Sequence, residues 1–303
     1  MVRPRGVSIL YIREAGVAMN TSGKVCLVTG ASTGIGKETA VGLAKTGATV
    51  VMAARDASRG EEARADVIRR SGNPNVELLL ADMTTTGGVR SLANQFLSRH
   101  DRLHVLINNA GGVFKEHRKN DEGMELTFAL NYYAPFLLTH LLLDTLKKSS
   151  PARIVQVASE MQAKRLDIAQ LTDPVPYKAM QAYGTAKLAV VMFTYALARE
   201  LEGTSVTVNA VHPGVIYTPQ SARMAPSFLR PLMKLFMSDP VKGAEPSVRL
   251  AVDPALEGVS GRYFKQLAEK RTGAFSYDWQ QQDKLYTRSL EWAFSPGKVQ
   301  THL

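Results

Sequence analysis

The stretch Val25-Cys-Leu-Val-Thr-Gly-Ala-Ser-Thr-Gly-Ile-Gly36, followed by Lys37-Glu-Thr-Ala40, decides the fold of this chain. Its first five residues form a short apolar run of the kind buried on both faces of a sheet, and the segment from Gly36 to Thr46 has the length of a helix closed by Gly47. Between them the glycines let the backbone turn tightly. A strand that turns through glycines into a helix aims backbone N–H groups and the positive end of the helix dipole at one point, where a pyrophosphate can approach. The spacing Gly30, Gly34, Gly36 contains one gap longer than the standard G-x-G-x-x-G, so the glycines alone are weak support.

Outward from this stretch the sequence keeps alternating between apolar strand-like runs and longer helix-like segments. The further runs are Thr49–Ala53, Val76–Leu80, His104–Asn108, Arg153–Val157 and Val206–Val211, and Ala182 to Glu202 reads as a long helix followed by Gly203. Their near-continuous apolarity fits strands covered on both faces. The pattern predicts an α/β fold: a single doubly wound Rossmann-type domain with a parallel sheet, helices on both faces and an apolar substrate lid. Residues 1–22 read as an N-terminal extension expected to be disordered, and 23–303 as the domain. The lid is expected at about 215–241, a stretch punctuated by Pro219, Pro226, Pro231 and Pro240 around an apolar middle with Phe228, Leu232, Met233 and Phe236. A subunit contact is the competing use of that stretch.

In the usual fingerprint, an acidic residue about 20 positions on, at the end of the second strand, binds the ribose 2′-hydroxyl of NAD. Here the strand ends in Ala54, and the next residue is Arg55, whose planar fork suits a 2′-phosphate. This favours NADP(H) over NAD(H). Asp56 is the counter-reading, through a small shift of register, and a surface pairing of Arg55 with Asp56 or Glu62 is the plain alternative.

Tyr183 and Lys187 stand at i and i+4, one face of a helix. A phenol with pKa near 10 is a poor acid/base catalyst at neutral pH, and a neighbouring cation favours its ionised form. Of the ten tyrosines, no other has Lys four residues later; Tyr177, for one, is followed by Gln181. Ser159 closes the run Val155-Gln-Val-Ala-Ser159 at the end of a predicted parallel strand, where open α/β sheets place their ligands. Asn108-Asn-Ala-Gly111 follows another strand, and Asn131 falls in the helix after it. Each has a plainer use: Ser159 as a cap, Asn108 as a loop tie, Asn131 as the partner of a buried backbone group.

Taken in order, Thr29-Gly-Ala-Ser-Thr-Gly-Ile-Gly36, Asn108-Asn-Ala-Gly111, Asn131, Ser159, Tyr183-x-x-x-Lys187 and His212-Pro-Gly214 resemble a classical short-chain dehydrogenase/reductase. The likeness spans Gly23 to Gly214. Gly34–Ala40, Ala54-Arg-Asp56, Leu103–Gly111, Phe136–His140 and Ser205–Gly214 are most similar to retinol dehydrogenase-like members. The resemblance implies a tetrad: Tyr183 as general acid/base, Lys187 lowering its pKa and holding the nicotinamide ribose, Ser159 orienting the carbonyl and Asn131 holding a relay water. It implies that Gly30, Ser32, Thr33, Gly34, Ile35 and Gly36 form the cofactor loop, that Asp82 and Met83 border the adenine with Asn109 behind it, and that Ala110 and Gly111 line the same cleft. Pro213, Gly214 and Val215 would face the nicotinamide, and Thr218 its phosphate or carboxamide. It also implies pairing into a homodimer or homotetramer through the long helix, with burial by the chain's own C-terminal segment as the alternative.

Composition narrows the rest. With 303 residues, 45% hydrophobic and 21% charged, the chain is globular, which excludes disorder and collagen. A single cysteine, Cys26, excludes an internal disulfide and any multi-cysteine metal site. The net charge of +10 is scattered and interleaved with acids, as in Arg59-Gly-Glu-Glu-Ala-Arg64, so no nucleic-acid partner is expected. His100 and His104 lie across a predicted helix end and strand start, and no metal site is expected from them. No apolar run reaches the roughly 20 residues needed to span a bilayer. Many retinoid-active relatives carry an N-terminal anchor; without one here, a cytoplasmic protein is expected. The reaction expected is NADP(H)-dependent interconversion of a lipophilic alcohol with its aldehyde or ketone. A catalytically silent NADP(H) sensor is the rival, and a sugar-nucleotide epimerase or dehydratase ranks last.

Overall fold

The computed structural model describes residues 20–216 and 238–294. The first strand, β1 (Val25–Thr29), turns at Gly30 into helix α1 (Gly34–Lys45), and the chain then runs through β2 (Thr49–Ala54), α2 (Ala57–Ser71), β3 (Val76–Leu80), α3 (Thr86–Leu97) and β4 (Val105–Asn108). Next come α4 (Leu126–Phe128), a π-helical turn (Ala129–Tyr133), α5 (Ala134–Leu141), α6 (Leu143–Lys148), β5 (Ala152–Val157), α7 (Ala179–Glu200) and β6 (Val206–His212). Helix α8 (Pro240–Val252), β7 (Arg262–Lys265), β8 (Ala268–Glu269) and α9 (Trp279–Phe294) complete the described chain.

The strands form one sheet in the order β3-β2-β1-β4-β5-β6-β7-β8, parallel throughout except for β8, which pairs antiparallel with β7. The order reverses between β1 and β4, and at such a switch point the loops leaving the strand ends diverge into a ligand crevice. Alternate side chains of β1 enter opposite layers: Leu27 joins the core under α3, α5 and α7, whereas Cys26 and Val28 join the core under α1, α2 and α8. Both faces are therefore apolar, which is why the strands read as unbroken runs. Burial pushes the Cys26 thiol up to about 12, so it is an inert core residue.

All six apolar runs are strands at these positions, within a residue at each end. The sequence did not announce β7 or β8. β7 is Arg-Tyr-Phe-Lys, with only its two central residues buried, and so lacks a continuous apolar signature. At the lid, Ile216 and Ser238 pair as a parallel bridge; Phe228, Leu232, Met233, Phe236 and Thr218 lie outside the described residues. Pro240 and Val241 belong instead to the first turn of α8, capped by the Asp239 carboxylate, which accepts from the Val241 N–H at 2.8 Å. Proline suits this position because its missing N–H would be unpaired there anyway.

Helix α7 is apolar around most of its circumference because the sheet takes one side and α9 covers part of the other. Tyr132 shares a 2.7 Å hydrogen bond with Ser289, Tyr133 donates to the Trp292 carbonyl at 3.1 Å, and His140 Nε2 meets the Tyr286 hydroxyl at 2.7 Å. The surface that resemblance assigns to a partner subunit thus has an intramolecular neighbour. No helix among the described residues is long and apolar enough to cross a membrane.

Candidate active site

The glycine loop and the Asn108-Asn-Ala-Gly111 segment interlock at the C-terminal ends of β1 and β4. The Thr29 hydroxyl accepts the backbone N–H groups of Asn109 and Ala110, both at 3.0 Å, and the Asn109 amide donates to the carbonyls of Thr29 at 2.8 Å and Gly30 at 3.2 Å. Asn109 therefore braces the glycine loop with its own side chain. Gly36 is required by closeness: a Cβ there would lie 2.3 Å from both the Gly30 carbonyl oxygen and the Asn109 amide nitrogen. Gly36→Ala is expected to destabilise the chain by about 1–3 kcal/mol and to weaken nucleotide binding, because backbone must yield. Thermal unfolding and a nucleotide titration check this; an unchanged variant would refute it.

Gly34 opens α1 with φ +55°, a left-handed conformation that costs glycine little. Thr33 caps the helix without a side-chain bond, and no acidic residue occupies the first turn. A helix start of this kind, with its N–H groups unclaimed by a capping side chain, fits an anionic pyrophosphate. Ser32 and Ile35 are half-buried beside it, and Thr33 is exposed. Beyond β2, Arg55 is exposed and forms no hydrogen bond or ion pair among the described residues. Asp56 instead caps α2, accepting from the Arg59 N–H at 2.9 Å, with the Arg59 guanidinium at 3.4 Å. That backbone bond is the main cause holding its carboxyl below the usual range. Asp82 follows β3 and accepts the Thr84 N–H and hydroxyl at 2.9 and 2.7 Å; Met83 is buried in the core. Gly214, with φ +101°, follows β6 between buried Pro213 and exposed Val215.

Helix α7 presents Tyr183 and Lys187 to the same side, with the ammonium 5.6 Å from the centre of the phenol ring. Ser159, two residues beyond β5, has its hydroxyl beside the Tyr183 phenol and accepts the Met161 N–H at 3.1 Å. Burial raises the Tyr183 phenol above its ordinary value, and the neighbouring Ser159 hydroxyl opposes this. Lys187 itself is 4% exposed, and burial pushes it down to about 8. Its ammonium donates to the Val157 carbonyl at 2.7 Å and has no carboxylate partner among the described residues.

Asn131 sits in the π-helical turn, a local widening that recurs at functional sites. Its amide donates to the carbonyls of Gly112 at 2.6 Å and Thr127 at 2.7 Å, and its Oδ1 accepts the Gly112 N–H at 3.1 Å. The side chain thus grips the segment after β4. A Cβ on Gly111 would lie 2.8 Å from that Oδ1 and 3.4 Å from the Lys187 ammonium, so the two halves of the site meet at Gly111. Tyr263, on the unannounced β7, donates to the Ser159 carbonyl at 3.2 Å, and Gln162 does so at 2.8 Å. Sequence reading missed Tyr263, since no local pattern joins residues 104 positions apart. Elsewhere, His104 accepts the Val25 N–H and His100 faces Glu77; no group of three or more metal-ligating side chains occurs among the described residues.

A doubly wound sheet with a glycine loop at its switch point, and a Ser, Tyr and Lys gathered on the same edge, defines a nucleotide-dependent oxidoreductase. The family model of short chain dehydrogenases matches residues 24–227, and the chain belongs to that family. It is 38% identical over 276 residues to retinol dehydrogenase 13 of Mus musculus, spanning 88% of this chain and 83% of that protein. It is 41% identical over 258 residues to retinol dehydrogenase 11 of Homo sapiens, spanning 83% of this chain and 80% of the relative. Among solved structures, L-sorbose reductase from Gluconobacter frateurii, complexed with NADPH and L-sorbose, superposes with a TM-score of 0.69 at 26% identity, covering 84% of this chain and all of that one. The chain is thus a retinol dehydrogenase-like oxidoreductase of a family that uses NAD(P).

Proposed function

We propose that the chain interconverts a lipophilic alcohol and its aldehyde or ketone with NADP(H), using Tyr183 as general acid/base. The observation that carries this reading is the convergence of Tyr183, Ser159 and Lys187 at the strand ends beside the glycine loop. When bound, a reduced nicotinamide supplies the hydride that a carbonyl carbon receives. Tyr183 donates its proton to the carbonyl oxygen as the C=O π bond opens, and Ser159 holds that oxygen in line. Because burial raises the phenol, Tyr183 is protonated at neutral pH, the state that reduction needs. Lys187 holds the ribose end of the cofactor, and its charge offsets phenolate when an alcohol is oxidised. Asn131 keeps the segment around Gly111 against Lys187.

The NADP(H) preference rests on Arg55, which is exposed beyond β2, while the nearest carboxylate, Asp56, is committed to capping α2. Among the described residues, a 2′-phosphate would meet a guanidinium without a hydrogen-bond partner there, and NAD would find no uncommitted acid. The lipophilic substrate class is supported by the relatives named retinol dehydrogenase.

The test is loss of reduced-nicotinamide absorbance with NADPH or NADH against retinal, medium-chain aldehydes and aromatic ketones. NADPH is expected to give the higher kcat/KM. Arg55→Ala should remove most of that preference, at about 1.5–3 kcal/mol for a charged hydrogen bond, roughly 10- to 100-fold. A preference for NADH in the wild type, or an unaltered ratio in the variant, would overturn the assignment.

A further inference from the structure

We propose that Tyr177 is a positioning residue for the reaction, its hydroxyl tying the start of the helix that carries Tyr183 and Lys187 to the segment gripped by Asn131. The proposal deepens the functional reading above and rests on it. Tyr177 lies two residues before α7, and its hydroxyl donates to the Phe114 carbonyl at 2.5 Å. The Thr127 hydroxyl is 3.2 Å from the same phenol oxygen and accepts the Phe114 N–H at 3.4 Å. Four residues after Thr127, Asn131 holds Gly112 by both its N–H and its carbonyl. The segment 112–114 is therefore fixed at one end by Asn131 and at the other by Tyr177 and Thr127. It directly follows Gly111, where Asn131 and Lys187 approach each other.

The anchors on either side are firm. Glu125, fully buried, accepts the N–H groups of Thr127 and Phe128 at 2.7 and 2.9 Å, and its own N–H donates to the Thr172 carbonyl at 2.7 Å. The Tyr177 ring is stacked on His117 with centroids 4.9 Å apart, and His117 and Lys119 both reach Asp173. The ring is thus held independently of the hydroxyl, so Tyr177→Phe removes the tether and keeps the packing. Burial first, with the Glu125 carboxylate adding to it and Thr127 opposing, raises the phenol, which keeps it a donor. Sequence reading sets Tyr177 aside because no lysine follows at i+4; only the fold brings it to Phe114, 63 positions away.

Tyr177→Phe in the full chain tests this by amide exchange and by kinetics. The amides of Gly112 to Phe114 should exchange about 5- to 10-fold faster once one hydrogen bond is lost. Turnover of a substrate found in the panel above should fall about tenfold in kcat, because a small misplacement of reacting groups is costly, with the NADPH dissociation constant within about twofold of wild type. Combined with Asn131→Ala, the loss in kcat should be less than the product of the two, since both act through one segment. Unchanged exchange and kcat would overturn the proposal. So would a loss matched by weaker NADPH binding and a smaller folded fraction, the mark of a merely structural role. If the wild type turns over no panel substrate, the functional reading fails by itself, and exchange at 112–114 still decides for or against the tether.

Discussion

Tyr183→Phe is expected to lower kcat by about 10²- to 10⁴-fold, the usual contribution of a positioned acid/base group, while NADPH still binds. The substitution deletes one oxygen and keeps the ring beside Lys187. It removes the phenol oxygen beside the Ser159 hydroxyl, and with it the proposed proton donor for the carbonyl oxygen. Reduction needs the protonated phenol, which burial favours, and oxidation needs the phenolate, which burial opposes. Wild-type carbonyl reduction should therefore hold through neutral pH, and alcohol oxidation should rise as pH increases. Single-turnover rates beside a fluorescence titration of NADPH separate chemistry from binding. A variant that retains more than a tenth of wild-type kcat would remove Tyr183 from the mechanism.

Lys187→Met should have the second largest effect, a loss of about 10²-fold or more in kcat/KM, because the cation proposed to steady both phenolate and ribose disappears. Its stability signature is more specific. Burial brings the folded-state value to about 8, below the ordinary lysine value of 10.5, so the buried ammonium costs stability below pH 8. As pH rises from about 8 to about 10.5, the unfolded chain binds more protons than the folded one, and the wild type gains stability. The full linkage is about 3 kcal/mol, and the Val157 hydrogen bond offsets part of the cost at neutral pH. The melting temperature of Lys187→Met relative to wild type should thus be highest near pH 7 and decline towards pH 10.5. A difference independent of pH would show that Lys187 is not held at a lowered value.

Much of this is legible in the sequence alone. The six strands read as apolar runs because a parallel sheet covered on both faces leaves no polar side to interrupt them. Tyr183 and Lys187 stood out because helical spacing is a local property, and so did the glycines, whose turn is local too. What escaped was carried by short or distant elements. β7 pairs through four residues of which two are apolar, so its Tyr263 had no visible route to Ser159. That Asn109 braces the glycine loop was hidden too, because its amide meets carbonyls about 80 positions away. The direction of the Tyr183 shift was equally hidden, since it depends on how deeply the ring is buried.

The sequence by itself determined the alternation of strand and helix, the glycine turn at the switch point and the i, i+4 pairing of phenol and ammonium. These follow from backbone sterics and hydrophobic periodicity within a few turns of chain. The tertiary structure alone decided that α9 packs on part of α7 and meets α5 through Tyr286, that Asn131 and Lys187 meet at Gly111, and that Tyr177 reaches Phe114. Such contacts join segments far apart in the chain, and their partners are fixed only when the two cores close on the sheet and exclude water from the groups between them.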